Sequence, residues 1–225
     1  MTIRRDIALL EQEGRAYSVT GGVRIASQLH SEPSHQFKAV VELPQKQSMA
    51  KLAARLLHAD MTIYLDAGTS TLEIVPYINA LFCMTVVTND FGIVHALIEA
   101  SHVTVIHTGG QLDHSNQSCV GGLAVATLRQ VVTDIAFIST SSWDLRRGLT
   151  TPSALKVEVK QAAMQSASQV VLVASSSKYG TFSMYKIAGL EQFDIILSDD
   201  ALTPAAADGI RKQGVELLLP SDSNA

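Results

Sequence analysis

The segment Asp66-Ala67-Gly68-Thr69-Ser70-Thr71 sets one glycine and three hydroxyl side chains directly behind an aliphatic run, MTIYL. Amide N–H groups where a strand turns into a helix form an anion site, hydroxyls add donors, and a glycine lets a phosphate approach the backbone. No Gly-Lys-Ser/Thr follows and there is no GxGxxG, so this is neither a Walker loop nor a dinucleotide fingerprint. Plain helix capping by Thr69 or Ser70 accounts for the same residues. Further candidates stand behind other aliphatic runs: Asn89 after MTVVT, Gly109 and Gly110 after VTVIHT, Asp144 and Gly148 beyond DIAFIS, and Lys178 beyond QVVLVA. Singly, Asn89 reads as an N-cap, the glycines as turns and Lys178 as a solvated lysine. Converging on one rim, they suit a small, polyhydroxylated, phosphorylated ligand.

Other chemistries find less support. The seven histidines never fall at HxH or HxxxH spacing, Cys83 and Cys119 have no metal-ligand spacing, and Ser139, Ser141 and Ser142 have no partnered histidine in a readable motif. We therefore expect no metal, no cofactor and two free thiols. The apolar runs fall far short of the ~20 residues that span a bilayer. No signal-peptide pattern opens the chain, which predicts a cytoplasmic protein without membrane contact.

The elements that must position these residues are legible from periodicity. Short aliphatic runs (MTIYLD, MTVVT, VTVIHT, DIAFIS, QVVLVA, DIILS, VELLL) alternate with helical patterns near 70–81, 89–100, 119–131, 154–167 and 204–212, and a helix over 45–57 leads in. Near-continuous apolar strands alternating with helices predict an α/β fold, a mostly parallel sheet with helices on both faces. In such sheets ligands bind beyond the carboxyl ends of the strands, where every candidate above lies.

The N-terminal stretch TIRRDIALLEQEGRAYSVTGGV has another character. Thr2 can cap a helix, Ile3, Ile7 and Leu10 recur at i, i+4, i+7, and Gly14 ends it. Arg4 and Arg5 sit in the first turn, where the helix dipole disfavours cations, so another partner must account for them. With Tyr17–Val19 and the Gly21-Gly22 turn, the pattern suggests a recognition helix and wing in which Thr2, Arg4 and Arg5 meet DNA, Arg15 and Arg24 adding contacts. A surface helix and hairpin is the alternative. Residues 1–24 carry four arginines against three acids, whereas the remainder holds 13 basic and 18 acidic side chains, so the overall charge is −4. Only the first segment can meet nucleic acid. The domains expected are 1–24, a polar linker over 25–35, and a sensor over 36–225.

TIRRDIALLEQEG, LDAGTST, VVTND, HTGGQL, the stretch from DIAFIS to GLT, VEVKQAAM, VASSSKYG and FDIILSDD together resemble the DeoR family of bacterial sugar-responsive transcriptional regulators. The resemblance implies a winged helix-turn-helix joined to an effector domain similar to ribose-5-phosphate isomerase. It implies that the loop matching Asp66–Thr71 receives the phosphate of a sugar metabolite, that Lys178 lines the same pocket, and that the effector relieves repression of a carbohydrate operon. Dimers or tetramers are implied as well.

Two departures stand out. Ser139, Ser141, Ser142 and Trp143 replace the family's usual glycine-rich run; this hydroxyl-rich wall could favour a sugar acid, and Trp143 could stack on a sugar or pack in the core. The family also has helices before TIRRD, so we expect a frayed helix, weak and salt-sensitive DNA binding with little sequence preference, and a truncated or misassigned start codon. The alternative function is a phosphosugar isomerase. Isomerisation needs a positioned carboxylate, and of the acids such enzymes carry in the segment matching TSSWDLRRG only Asp144 remains. Glu158, with Lys156, Lys160 and Gln161, reads as a solvated helix face. A regulator, not an enzyme, is the expectation.

Overall fold

The computed structural model describes residues 3–19 and 21–224, with only the backbone of Arg4, Ala8, Gln12, Ser223 and Asn224. Helix α1 (Ile3–Gln12) leads to an antiparallel hairpin, β1 (Ala16–Val19) and β2 (Gly22–Ile25), in which Tyr17 faces Arg24. A helix-turn-helix is not seen among the described residues; segment 3–25 forms one helix and a hairpin. Ile3 and Leu9 are exposed, so α1 presents apolar surface that nothing described covers. Strand β3 (Ser27–Gln28) follows, then α2 (His35–Val40), capped by Ser34, and α3 (Leu43–Ala54).

The seven aliphatic runs all become strands of one parallel sheet. They are β4 (Thr62–Leu65), β5 (Thr85–Thr88), β6 (Thr104–His107), β9 (Thr133–Ser139), β12 (Ala167–Val173), β15 (Ile195–Leu197) and β16 (Glu216–Leu218). Between them run α4 (Thr69–Leu72), α5 (Val75–Ile78), α6 (Phe91–Leu97), the hairpin β7 (Gln111–Asp113) and β8 (Ser118–Val120), α7 (Gly122–Leu128), β10 (Ser142–Asp144), β11 (Gly148–Thr151), α8 (Ala154–Gln165), β13 (Thr181–Phe182), β14 (Tyr185–Ala188) and α9 (Pro204–Lys212).

The expected helix over 70–81 is two short ones, because Pro76 lacks an N–H and its ring crowds the preceding turn. Sequence periodicity did not mark the small antiparallel sheet β10-β11-β14 or the β7–β8 hairpin, whose strands are three or four residues long.

Alternation along the strands assigns the two faces. Tyr64, Val87, Ala136, Ile138 and Leu172 pack with α7, α8 and α9. Ile63, Leu65, Val86, Phe137 and Val173 pack with α3, α5 and α6. Each fully buried aliphatic side chain contributes roughly 1.5–3 kcal/mol, which explains why such runs read clearly as strands.

The strand order is β16-β15-β12-β9-β4-β5-β6. The chain starts at β4, moves outward through β5 and β6, and returns to the other side at β9. The switch point therefore lies between β4 and β9, and a crevice opens beyond their carboxyl ends.

Stretch 25–35, expected as a linker, is built into the body. β3 pairs in parallel with β13, Leu29 N–H donates to Phe182 O, and His35 N–H donates to Ser115 O. The hairpin is docked too. Tyr17 is fully buried, edge-on to Tyr179 with centroids 5.1 Å apart, and Arg24 donates to the carbonyls of Ser177 and Tyr179. Arg24 thus spends its guanidinium on the body rather than standing free as a wing contact.

Candidate functional site

Asp66, one residue past β4, and Ser139, the last residue of β9, meet at the switch point. Asp66 Oδ2 accepts the Ser139 N–H at 2.9 Å, the Ser139 hydroxyl at 2.8 Å and the Lys160 ammonium, which also donates to Ser139 O at 2.9 Å. This buried pair fixes where the following loop begins. Asn89 and Asp90 hold it from the side: Asn89 Oδ1 accepts Ala67 N–H at 3.0 Å and Asp90 Oδ2 accepts Gly68 N–H at 3.1 Å. The Thr71 hydroxyl closes the turn onto the carbonyls of Asp66 and Gly68. Gly68 is needed for close approach, since a Cβ there would lie 2.8 Å from Ser139 Oγ.

What this scaffolding leaves open is the chemistry of the site. The Thr69 and Ser70 side chains are buried in the wall of a cavity of about 270 Å³, and neither hydroxyl has a protein partner among the described residues. In the first turn of a helix the amide groups have no carbonyl four residues back to bond. Hydroxyls without protein partners line the cavity.

Lysines line the same cavity: Lys38, Lys46, Lys156, Lys160 and Lys178, against Glu32 and Glu42. Lys178 Nζ donates to Thr140 O at 2.8 Å, and Lys38 Nζ to Asn116 Oδ1 at 2.6 Å. Burial, and then the neighbouring charges of Lys38 and Lys46, push Lys178 down to about 8. Burial likewise lowers Lys38 and Lys46. Burial alone would raise Glu32, but Lys156 and Lys38 outweigh it and hold the carboxyl at about 2. Crowded, partly desolvated ammonium groups beside unpartnered hydroxyls form a receptor for an anion.

Of the residues singled out from sequence, Gly68, Thr69, Ser70 and Lys178 line the cavity. Asp66, Thr71 and Asn89 lie behind that wall as its supports. The others lie elsewhere. Gly109 and Gly110 follow β6, the edge strand, two strands from the crevice. Asp144 is fully buried and accepts from Arg147 Nη1 at 2.8 Å and from the Arg146 and Arg147 amides, closing the β10–β11 turn. Gly148 opens β11 opposite Asp144 at φ +73, where a Cβ would meet Ala188 O. Trp143 belongs to the core: it is fully buried, lies edge-on to Tyr179 and donates Nε1–H to Ser175 O at 3.2 Å.

For DNA contact, Arg5 is exposed on α1, while Thr2 and the Arg4 side chain lie outside the described residues. Glu158 is exposed, but Lys156 and Lys160, expected on the same solvated face, are buried and turned to the cavity. A signal for them existed: 156, 159, 160 and 163 form one i, i+3, i+4, i+7 stripe, and Val159 and Ala163 on it are core residues. Glu32, Lys38 and Lys46 carried none.

Comparison with known proteins fits this architecture. Residues 42–200 match the model of the DeoR C-terminal sensor domain. The HTH-type transcriptional regulator YgbI of Escherichia coli K12 is 44% identical over 97% of this chain and 86% of its own length. A putative aga operon transcriptional repressor of Escherichia coli O157:H7 is 32% identical over 97% of this chain and 82% of its own. Among solved structures, ribose 5-phosphate isomerase A of Methanocaldococcus jannaschii aligns with a TM-score of 0.43 and 15% identity, covering 60% of this chain and 53% of that one. With its sensor-domain match and full-length relatives, the chain belongs to the DeoR family of transcriptional regulators.

Proposed function

We propose that the cavity receives a phosphorylated sugar or sugar acid and that its occupancy controls DNA binding by the segment before residue 25, regulating a carbohydrate operon in the cytoplasm. The observation that carries the reading is the pair of unpartnered hydroxyls, Thr69 and Ser70, lining one switch-point cavity with five lysines. The phosphate is assigned to Gly68–Ser70 with Lys178, and the sugar to the Ser139–Ser141 wall. Asp66, Thr71 and Asn89 act as positioning residues. DNA contact is assigned to α1, with Arg5 among its contacts. Because β3 and residues 29–33 pack with the sensor, its boundary is better drawn near residue 26 than at 36.

A homo-oligomer follows from the need to read paired half-sites. The isomerase alternative loses its one candidate acid, since Asp144 is spent on a turn away from the cavity.

The test is a thermal-shift screen of sugar phosphates paired with their parent sugars, followed by fluorescence anisotropy on DNA upstream of the gene. A specific ligand at 100 times its Kd contributes about 2.7 kcal/mol, or roughly 5–11 °C for a domain of this size. The phosphate ester alone is expected to raise Tm and to change DNA affinity. Equal shifts from sugar and ester would refute the reading.

A further inference from the structure

Glu32 sits in the cavity wall coordinated as a bound anion would be. Its Oε2 accepts from Lys156 Nζ at 2.9 Å and Lys38 Nζ at 3.3 Å, and its Oε1 from Ser141 Oγ at 3.1 Å and Thr151 Oγ1 at 3.5 Å. Two ammonium groups and two hydroxyls around one carboxylate are a recognition set for any R–COO⁻. The residue comes from an irregular stretch between β3 and α2, so it can withdraw without breaking a strand or helix. Two of its partners keep other bonds when it leaves: Lys156 retains Asp113 at 3.3 Å and Lys38 retains Asn116 at 2.6 Å.

The set also lies within reach of the phosphate loop. Ser139 donates to Ala67 O at 2.9 Å, and Ser141, two residues on, holds Glu32. Two residues of chain span at most about 7 Å.

We infer that the effector carries a carboxylate as well as a phosphate, making it a phosphorylated sugar acid of the aldonate type, and that this carboxylate displaces Glu32 from Lys38, Lys156, Ser141 and Thr151. The inference rests on the sensor reading above and narrows it. A free carboxylate competes poorly against Glu32, which is tethered at high effective concentration. One joined to an anchored phosphate is itself intramolecular and competes on equal terms. The hydroxyl or carbonyl of an aldose phosphate offers the two ammonium groups no charge in exchange. Displacement frees the stretch that joins the cavity to the hairpin, which supplies a route from ligand to DNA-binding segment.

The test is isothermal titration of the full chain with two matched series: erythrose 4-phosphate, 4-phosphoerythronate and erythronate; glucose 6-phosphate, 6-phosphogluconate and gluconate. In at least one series the phosphorylated acid is expected to bind tenfold or more tighter than the aldose phosphate. Glu32→Gln, which removes the internal competitor, is expected to tighten the phosphorylated acid several-fold further and to widen that ratio. Ser141→Ala, which removes one donor to the carboxylate, is expected to narrow it.

Equal affinities for acid and aldose phosphates, or weakening of both by Glu32→Gln, overturn the inference and leave the sensor reading standing. Failure of every phosphorylated compound to bind overturns both.

Discussion

Lys160→Met removes the ammonium that pairs with Asp66 at the root of the loop over 66–71. Both side chains are buried, Asp66 to 2% and Lys160 to 8% exposure. With the lysine gone, Asp66 keeps three neutral donors, the Ser139 N–H, the Ser139 hydroxyl and the Tyr64 hydroxyl, and no charge opposite it. Stranding one member of a buried pair costs about 3–5 kcal/mol, a large share of the 5–15 kcal/mol by which folded domains are stable. With a urea slope near 3 kcal/mol per M, the unfolding midpoint should fall by about 1–1.7 M. The double variant Asp66→Asn/Lys160→Met removes the stranded charge and should be more stable than Lys160→Met alone. Equilibrium urea unfolding followed by far-UV circular dichroism reads both. A midpoint within 0.3 M of wild type for Lys160→Met, or a double variant that loses the sum of the singles, would refute the claim that this pair is coupled and holds the loop.

Lys178→Ala should weaken a phosphorylated ligand by about 1.5–3 kcal/mol, the worth of a charge-assisted bond, and Thr69→Ala by about 0.5–1.5 kcal/mol, both read by calorimetry. Burial and neighbouring lysines lower Lys178 to about 8, so it loses its proton as pH rises through that value. Phosphate monoesters are fully ionised there, so affinity should fall from pH 7.5 to 9.5, and binding near pH 8 should take up protons in buffers of differing ionisation enthalpy. Flat affinity across that range would remove Lys178 from the site. Incubated with ribose 5-phosphate, neither the wild type nor Asp144→Asn should give product above background in a coupled assay, because Asp144 closes a turn and does not face the cavity.

The sheet was legible because its inner strands β4, β5, β9, β12 and β15 are aliphatic runs mostly buried on both faces, and the edge strands β6 and β16, although largely exposed or half-buried, carry the same short aliphatic run. The loop at 66–71 and Lys178 were legible because the strand-end rule points at them. The same rule misled at Gly109, Gly110, Asp144 and Gly148, since it says which end of the sheet to inspect but not how far a residue stands from the switch point. That distance depends on strand order, and here β6 turns out to be an edge.

Lysines 156 and 160 read as solvent-facing because charge usually outvotes a helical stripe, although Val159 and Ala163 share theirs. Glu32 comes from the stretch read as a linker, Lys38 from just beyond it and Lys46 from the lead-in helix, and nothing in their spacing reveals that tertiary pairing folds them over the cavity. The family resemblance named the phosphate loop and Lys178 but not this second, carboxylate-holding half of the wall.

The most direct test of the central claim is a crystal structure of the chain with a phosphorylated ligand taken from the thermal-shift screen. We expect the phosphoryl oxygens within hydrogen-bond distance of the Thr69 and Ser70 hydroxyls and of Lys178 Nζ, with the carbon chain running along Ser139–Ser141. A ligand whose phosphate lies elsewhere, with Thr69 and Ser70 still unpartnered, would contradict it.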